Sequence, residues 1–379
     1  MTDQIEAVLT RGVEKIYPSK EALERVLRSG KKLRLYQGFD PSANSLHLGN
    51  FVGMMKLRQF QKLGHEVIFL VGDFTGMIGD PTDKLAARKA LTREQVRENC
   101  ATWRSQAKKI LDFDGPNPVK FLYNSEWLDK ISFKDLIELT ANFTVQQMLE
   151  RDMYQKRWQE GKPIHLHEFL YPVAQGYDSV AMDVDLEIGG NDQTFNMLTG
   201  RTLMKVLKGK EKFVLTTKLL VDKAGDKVGK TTDNALFLSA TAGDFYGGIM
   251  AFPDEVLVLS FELLTEVPLQ SIEPLKSNPL MAKKRLALEV VKLLYGAKAA
   301  QEAQNHFEKV FQNKELPVDL PVFKTTRKDY PLVDLLIDTK MASSRSEAKR
   351  LIDQKAVDFD GKILKVGKRR FMKILVRPE

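Results

Sequence analysis

The sequence predicts an α/β fold built on a mostly parallel sheet, followed by a helical segment and a small basic α+β tail. Three observations carry that prediction. Short apolar runs bounded by glycine, such as EVIFLVG over 66–72, have the length and composition of strands buried on both faces. These runs alternate with helix-length segments between residues 33 and 217, the pattern of βα units. From residue 243 the pattern becomes helix after helix, and from Pro321 to Glu379 the chain carries 15 Lys/Arg against 8 Asp/Glu.

Taken in order, residues 4–15 and 19–29 read as helices, the second capped by Ser19. Leu33 and Leu35 mark a buried strand that ends in a Gly38-Phe39-Asp40-Pro41 turn. Leu48, Phe51, Val52 and Met55 then share one face of a helix over 47–63, which Gly64 ends. After EVIFLVG come a helix over 92–111, a strand over 118–124, and helices around 132–140, 144–157 and 166–182. Strands over 185–190 and 212–217 enclose a further helix to about 207. Residues 222–232, DKAGDKVGKTT, read as an exposed loop. Helices fill 243–315, and Pro317 and Pro321 mark a linker. In the tail, 331–338 is helical, Ser344 and Glu347 suggest a capping box for a helix over 345–354, and Asp360-Gly361 signals a hairpin before a last strand, FMKILV.

Composition narrows the class. At 379 residues, 43% hydrophobic and 28% charged, the chain has the makings of two or three globular domains. A single cysteine, Cys100, excludes an internal disulfide framework and fits a reducing compartment. Neither a signal-peptide pattern nor an apolar run of membrane-spanning length is present, so the expectation is a cytoplasmic protein with no membrane association. Net charge is +8, and +7 of it lies after residue 320. A basic tail on a nearly neutral body points to a nucleic-acid-binding module. Its candidate contacts are Arg345, Lys349 and Arg350 on the helix and Lys368, Arg369 and Arg370 before the last strand.

Polar motifs gather where strands are expected to end, the place where ligands bind on parallel sheets. LYQGFDPSANSLHLGN (35–50) joins a strand to a helix N-terminus, where Gly49 permits close backbone approach and His47 can donate to phosphate oxygen. GDFTGMIGDP (72–81) adds Asp80. YPVAQGYD (171–178, counted from Tyr171) sets Tyr171, Gln175 and Asp178 at i, i+4 and i+7 on one helix face. IGGNDQ (188–193) is a Gly-Gly turn with Asp192 and Gln193, and KVGKT (227–231) offers lysines that could close on a polyphosphate. Singly, each has an ordinary structural reading: core aromatics, a helix cap, a solvated charged face. His165 and His167 alternate like a metal pair but have no third ligand, and no protein-only metal site is expected.

In order and spacing these five motifs resemble the tyrosyl-tRNA synthetases, class I aminoacyl-tRNA synthetases of bacterial type with a C-terminal RNA-binding domain. The likeness covers most of 33–231 and resumes in the tail. It implies a Rossmann-like catalytic domain over 1–222, a KMSKS-type loop and linker over 223–242, an α-helical anticodon-side domain over 243–320, and a small RNA-binding domain over 328–379. It implies that ATP, with Mg²⁺, activates L-tyrosine to the adenylate, that tRNA(Tyr) receives the tyrosyl group, and that the enzyme is a homodimer without a tightly bound cofactor.

The same resemblance distributes roles. Tyr36 and Asp178 would bond the substrate's phenol hydroxyl. Asp80, Tyr171 and Gln175 would hold its ammonium, with Asn124 and Gln193 lining the pocket. Gly38, Asp40, Gly49, Gly190 and Asp192 would surround ATP; Ser42, His47 and Asn50 would meet the phosphates. Lys84, Arg88, Lys227, Lys230 and Thr231 would close on pyrophosphate. One departure is Asn50, where the family usually has His. The resulting HLGN is also common in tryptophanyl-tRNA synthetases, the runner-up, against which Tyr36 and Asp178 answer a phenol rather than an indole. A synthetase-derived RNA-binding protein without catalysis and a different HxGx nucleotidyltransferase are the remaining alternatives.

Overall fold

The computed structural model describes residues 2–81, 91–223, 225, 227–228, 236–312, 320–327, 330–354, 356–367 and 370–376. They fall in two compact units, residues 1–300 and 301–379. In the first, β1 (Val13–Tyr17), β2 (Arg34–Phe39), β3 (Glu66–Val71), β4 (Lys120–Tyr123), β5 (Leu186–Gly190) and β6 (Phe213–Thr217) form one sheet in the order β1-β6-β5-β2-β3-β4. All neighbours are parallel except β1, which runs antiparallel to β6. Parallel pairing requires crossovers, and helices such as Leu48–Lys62 and Thr194–Lys208 supply them.

The chain runs from β2 outward through β3 to β4, then returns to β5 on the other side of β2. The carboxyl ends of β2 and β5 therefore flank the point where strand order reverses, where a crevice opens in such sheets. Apolar runs fix this arrangement. Phe39, Phe69 and Phe121 stack across three adjacent strands, with ring centroids 4.4 and 5.1 Å apart. Burying a ring such as Phe69 contributes about 1.5–3 kcal/mol. Gly38-Phe39-Asp40, Gly72-Asp73, Asn124 and Gly189-Gly190 all lie at strand carboxyl ends, as the sequence predicts.

Several elements differ from the sequence reading. The expected helix over 4–15 is a helix at Thr2–Thr10 followed by β1. Gly12, with φ +66°, turns the chain, and VEKIY pairs with β6 some two hundred residues away. The 92–111 helix divides into Arg93–Cys100 and Trp103–Ala107, and 144–157 into Val145–Leu149 and Asp152–Gln159. Arg151 between the latter two is extended, which interrupts the ladder. After β6 the first unit continues as helices, among them Ala242–Met250, Leu257–Leu264 and Pro279–Tyr295.

The second unit holds β7 (Val322–Thr325), helices Leu332–Asp338 and Arg345–Asp353, β8 (Val357–Phe359), β9 (Ile363–Val366) and β10 (Arg370–Val376). Its sheet order is β7-β10-β9-β8. Strand β7, read from sequence as linker, pairs parallel with β10. Leu335, Leu336, Ala348, Leu364 and Val366 form its core. The β8–β9 hairpin turns at Asp360–Lys362, where Gly361 takes φ +86° and Asp360 Oδ1 accepts from the Lys362 and Ile363 amides. Ser344 caps its helix, but the Glu347 carboxylate accepts from Ser343 rather than closing a box on Ser344.

Candidate active site

A cavity of about 380 Å³ opens at the carboxyl ends of β2 and β5. Its floor begins at Gly38 and Asp40. The Gly72 position faces the Asp40 carboxylate so closely that a Cβ there would stand 1.9 Å from Asp40 Oδ1. With that space, Asp40 accepts from Thr75 Oγ1 at 2.7 Å and from the Tyr171 hydroxyl at 2.8 Å. Burial pushes the Tyr171 hydroxyl well above the usual phenol range, so it stays a donor.

On one side stands the N-terminus of helix Leu48–Lys62. His47 is its N-cap: Nδ1 accepts from the Gly49 amide at 3.0 Å and the Asn50 amide at 3.4 Å. Asn50 Oδ1 accepts from the His47 amide at 2.9 Å, completing a capping box. Because Nδ1 accepts, a neutral ring carries its proton on Nε2. Gly49 is required here, since a Cβ would stand 2.9 Å from the His47 ring. Asn50, the departure from the usual His, is thus built into the cap. Ser42 lines the same end, its amide bonded to the Asp40 carbonyl.

Opposite, Asp178 on helix Leu170–Met182 accepts from Trp127 Nε1 at 2.7 Å and Asn124 Nδ2 at 3.2 Å. Full burial raises its carboxyl well above the usual range. Asn124 also donates to Thr75 Oγ1 and accepts from the Phe74 amide. Gln193 Nε2 donates to Asp80 Oδ2 at 2.7 Å, and Gln193 Oε1 accepts from Asn196. Gln175 Nε2 donates to Glu187 Oε1 at 3.1 Å, which leaves Gln175 Oε1 buried and without a donor among the described residues.

Gly190, Asp192 and Lys227 complete the rim, with Lys227 paired to Asp192 at 2.7 Å. The start of the KVGKT motif and a segment beyond it are tied to the cavity wall: the Val228 amide bonds the Leu220 carbonyl, and Leu236–Leu238 pairs with Leu46–Leu48. The expected residues Lys84, Arg88, Lys230 and Thr231 lie outside the described residues, as do Lys368 and Arg369 of the tail. In the second unit, Arg345, Lys349, Arg350 and Arg370 are exposed; Arg345 pairs with Asp334, and Arg370 donates to the Met341 carbonyl.

Tyr36 is the one expected pocket residue among the described positions that does not line the cavity. Its ring packs with Ile68, Leu70, Met182 and Val184, and its hydroxyl meets Ser179 Oγ at 2.9 Å. Conversely, Gln37 and Glu187 line the cavity and were not anticipated. Strand alternation alone would have placed Glu187 on a sheet face, but only packing tells which face is the crevice.

Residues 28–312 match the model for tRNA synthetases class I (W and Y), and 312–372 match the tyrosine–tRNA ligase SYY-like C-terminal domain. The chain is 41% identical to the tyrosine–tRNA ligase of Thermotoga maritima over 97% of this chain and 96% of that one. The chain belongs to the tyrosine–tRNA ligase family. It is 42% identical to the Geobacter metallireducens tyrosine–tRNA ligase, over 98% of both chains. Its fold matches the C-terminally truncated mitochondrial tyrosyl-tRNA synthetase of Aspergillus nidulans, with TM-score 0.70 and 24% identity over 81% of this chain and 94% of that one. Tyrosine rather than tryptophan is therefore the amino acid of its relatives.

Proposed function

We infer that this chain activates L-tyrosine with ATP, giving tyrosyl-adenylate and pyrophosphate, and then transfers the tyrosyl group to tRNA(Tyr). The observation that carries this reading, beside the family, is one cavity combining buried acceptors at Asp178 and Gln175 with a capped helix N-terminus. In the first step the substrate carboxylate attacks the α-phosphate of ATP in line. Asp178 takes the phenol hydroxyl, while Gln175 Oε1, Tyr171 and Asp80 hold the ammonium, with Asn124 and Gln193 bracing them. For Tyr36 to reach the same hydroxyl, its own must leave Ser179.

Gly38, Asp40, Gly49, Gly190 and Asp192 seat the nucleotide, and Ser42, His47 and Asn50 meet the phosphates. The His47 Nε2 proton stabilises charge developing on the phosphoryl oxygens, beside helix-end amides that are already held by the cap. Lys227, Lys84, Arg88, Lys230 and Thr231 close on the departing pyrophosphate. Among the described residues no group of three His, Cys, Asp or Glu suits a metal ion. In this reading Mg²⁺ accompanies ATP, where it would neutralise phosphate charge.

The helical 243–320 segment and the 328–379 domain make the tRNA contacts in this reading, the latter through Arg345, Lys349, Arg350, Lys368, Arg369 and Arg370. No helix among the described residues is long and apolar enough to cross a membrane, and we assign the chain to the cytoplasm. We also propose a homodimer: Phe133, Ile137, Val145, Trp158 and Leu166 are all exposed within residues 133–166.

The test is ATP–pyrophosphate exchange across the twenty amino acids. Tyrosine-dependent exchange is expected. Exchange with tryptophan alone would overturn the substrate, and none at all would favour an RNA-binding protein. Removing residues 329–379 should spare exchange and weaken tRNA charging in a salt-dependent way.

A further inference from the structure

Beneath the cavity lies a buried ion pair that none of the roles above uses. Lys212, at the start of β6, is fully buried, and its Nζ is paired with Glu187 Oε2 and donates to Ser179 Oγ at 2.8 Å. Its path exists because helices Leu170–Met182 and Thr194–Lys208 meet at two glycines. A Cβ at Gly200 would stand 2.6 Å from Lys212 Nζ and 2.9 Å from Ser179 Oγ, and one at Gly176 would stand 3.0 Å from the Gly200 amide nitrogen. Gly176 lets the two helices approach, and Gly200 leaves the room that the lysine head needs.

Glu187 has two ends with different partners. Oε2 meets Lys212, and Oε1 accepts from Gln175 Nε2 at 3.1 Å. An ionised carboxylate only accepts, so it selects the Gln175 carboxamide orientation in which NH₂ points down and Oε1 points up. That Oε1 is the buried acceptor left without a donor among the described residues. Turned over, the amide would set oxygen against carboxylate and present NH₂ to the cavity. Without Lys212 the Glu187 carboxylate loses the cation that fixes its Oε2 end and is left uncompensated, so its hold on the amide is no longer set. The amide would then be free to turn.

We propose that Lys212, acting through Glu187, is a positioning residue for amino-acid recognition: it holds Gln175 Oε1 toward the cavity to receive an N–H donor, the substrate's ammonium. This rests on reading the cavity as the tyrosine site. Burial lowers the Lys212 ammonium from its ordinary value, and the Glu187 carboxylate in contact with it opposes that shift.

The experiment measures dissociation constants for L-tyrosine and for 3-(4-hydroxyphenyl)propionate, which keeps ring and carboxylate but lacks the ammonium. The chains are wild type, Lys212→Met, and the charge-free double variant Glu187→Gln/Lys212→Met, which leaves no unpaired buried ion. Both variants should lose about tenfold in the preference for tyrosine over the propionate, with the KM for ATP within twofold of wild type. A preference that stays constant, whether affinities hold or fall together, would overturn the proposal. Should Lys212→Met fail to fold, the double variant decides.

A crystal structure of the unmodified chain with L-tyrosine needs no variant. Gln175 Oε1 should contact the ammonium while Nε2 remains on Glu187; an amide turned the other way, or Glu187 parted from Lys212, sinks the idea. A wild type that binds no tyrosine would fail the functional reading and this inference together. One that binds tyrosine while the variants keep the preference would fail this inference alone.

Discussion

The two ends of the cavity are built by different physics. At the end proposed for the amino acid, side chains dominate: Asp178, Asn124, Gln175 and Glu187 are buried or half-buried, with Asn124 donating to Asp178 and Gln175 to Glu187. At the phosphate end the groups are largely backbone, a helix N-terminus trimmed by His47 and Asn50, with the exposed Lys227–Asp192 pair across from it. Low dielectric makes each polar group at the first end costly to leave unpaired, so that end discriminates. In the proposed reading the second end offers the His47 Nε2 proton to phosphate from a ring fixed by the cap, and would supply rate rather than choice.

Substitutions at the two ends should therefore move different constants. The largest effect is expected at the phosphate end. His47→Ala removes the Nε2 donor, and kcat for exchange should fall about 10²–10³-fold, as for loss of one donor to a developing oxyanion. KM for tyrosine should hardly change. Steady-state exchange kinetics decide it, and a parallel rise in tyrosine KM would erase the distinction between the ends.

Next comes the amino-acid end. Asp178→Asn keeps the shape but replaces one acceptor by a donor, next to Trp127 Nε1 and Asn124 Nδ2, which both need acceptors. The ratio of kcat/KM for tyrosine to that for phenylalanine should fall by about 10²-fold, equivalent to roughly 3 kcal/mol for a mismatched buried hydrogen bond. Here KM for ATP stays near wild type. If tyrosine and phenylalanine lose activity equally, Asp178 does not read the hydroxyl.

These contrasts were unevenly legible in the sequence. β2 to β6 announce themselves as apolar runs ending in glycine or polar turns, and those turns carry Asp40, Asp80, Asn124 and Asp192. Strands β1 and β7 do not, because each is an edge strand of mixed polarity whose partner lies far along the chain. At the proposed phosphate end, what was legible is a local motif, HLGN, which the structure forms as one helix cap. The amino-acid end was readable only in part. Lys212 opens KFVLTT and reads as a solvated lysine; nothing local says that Gly200 makes room for it. Tyr36 was assigned to the pocket by likeness, yet packing beside Met182 and Val184 turns its hydroxyl to Ser179.

A smaller effect separates structure from chemistry within the HLGN cap. Asn50→Ala deletes the acceptor for the His47 amide and should lower unfolding free energy by about 0.5–2 kcal/mol, as cap losses do. Thermal or urea denaturation measures it. A variant as stable as wild type would mean the capping box contributes nothing, and that Asn50 serves the phosphates alone.

The smallest effect concerns the helix on which the phosphate end rests. Lys56, two turns along Leu48–Lys62, is buried like Lys212, but its Nζ donates to neutral oxygens: the Val8 and Arg11 carbonyls and Gln59 Oε1. Burial, aided by nearby Arg11, pushes its ammonium down to about 7. Below that pH both folded and unfolded chains hold the proton and the cost of burying charge is complete. Between about 7 and the ordinary lysine value near 10.4 the unfolded chain binds more protons, so stability rises with pH, by at most about 1.4 kcal/mol per unit. The difference in unfolding free energy between wild type and Lys56→Met should accordingly shift in favour of wild type from pH 7 to pH 9. Lys212, whose ammonium burial also lowers, should give a slope of the same sign when Glu187→Gln/Lys212→Met is compared with wild type, with the Glu187 carboxylate opposing it. A flat difference for Lys56 would mean its three oxygens hold the proton against burial across that window.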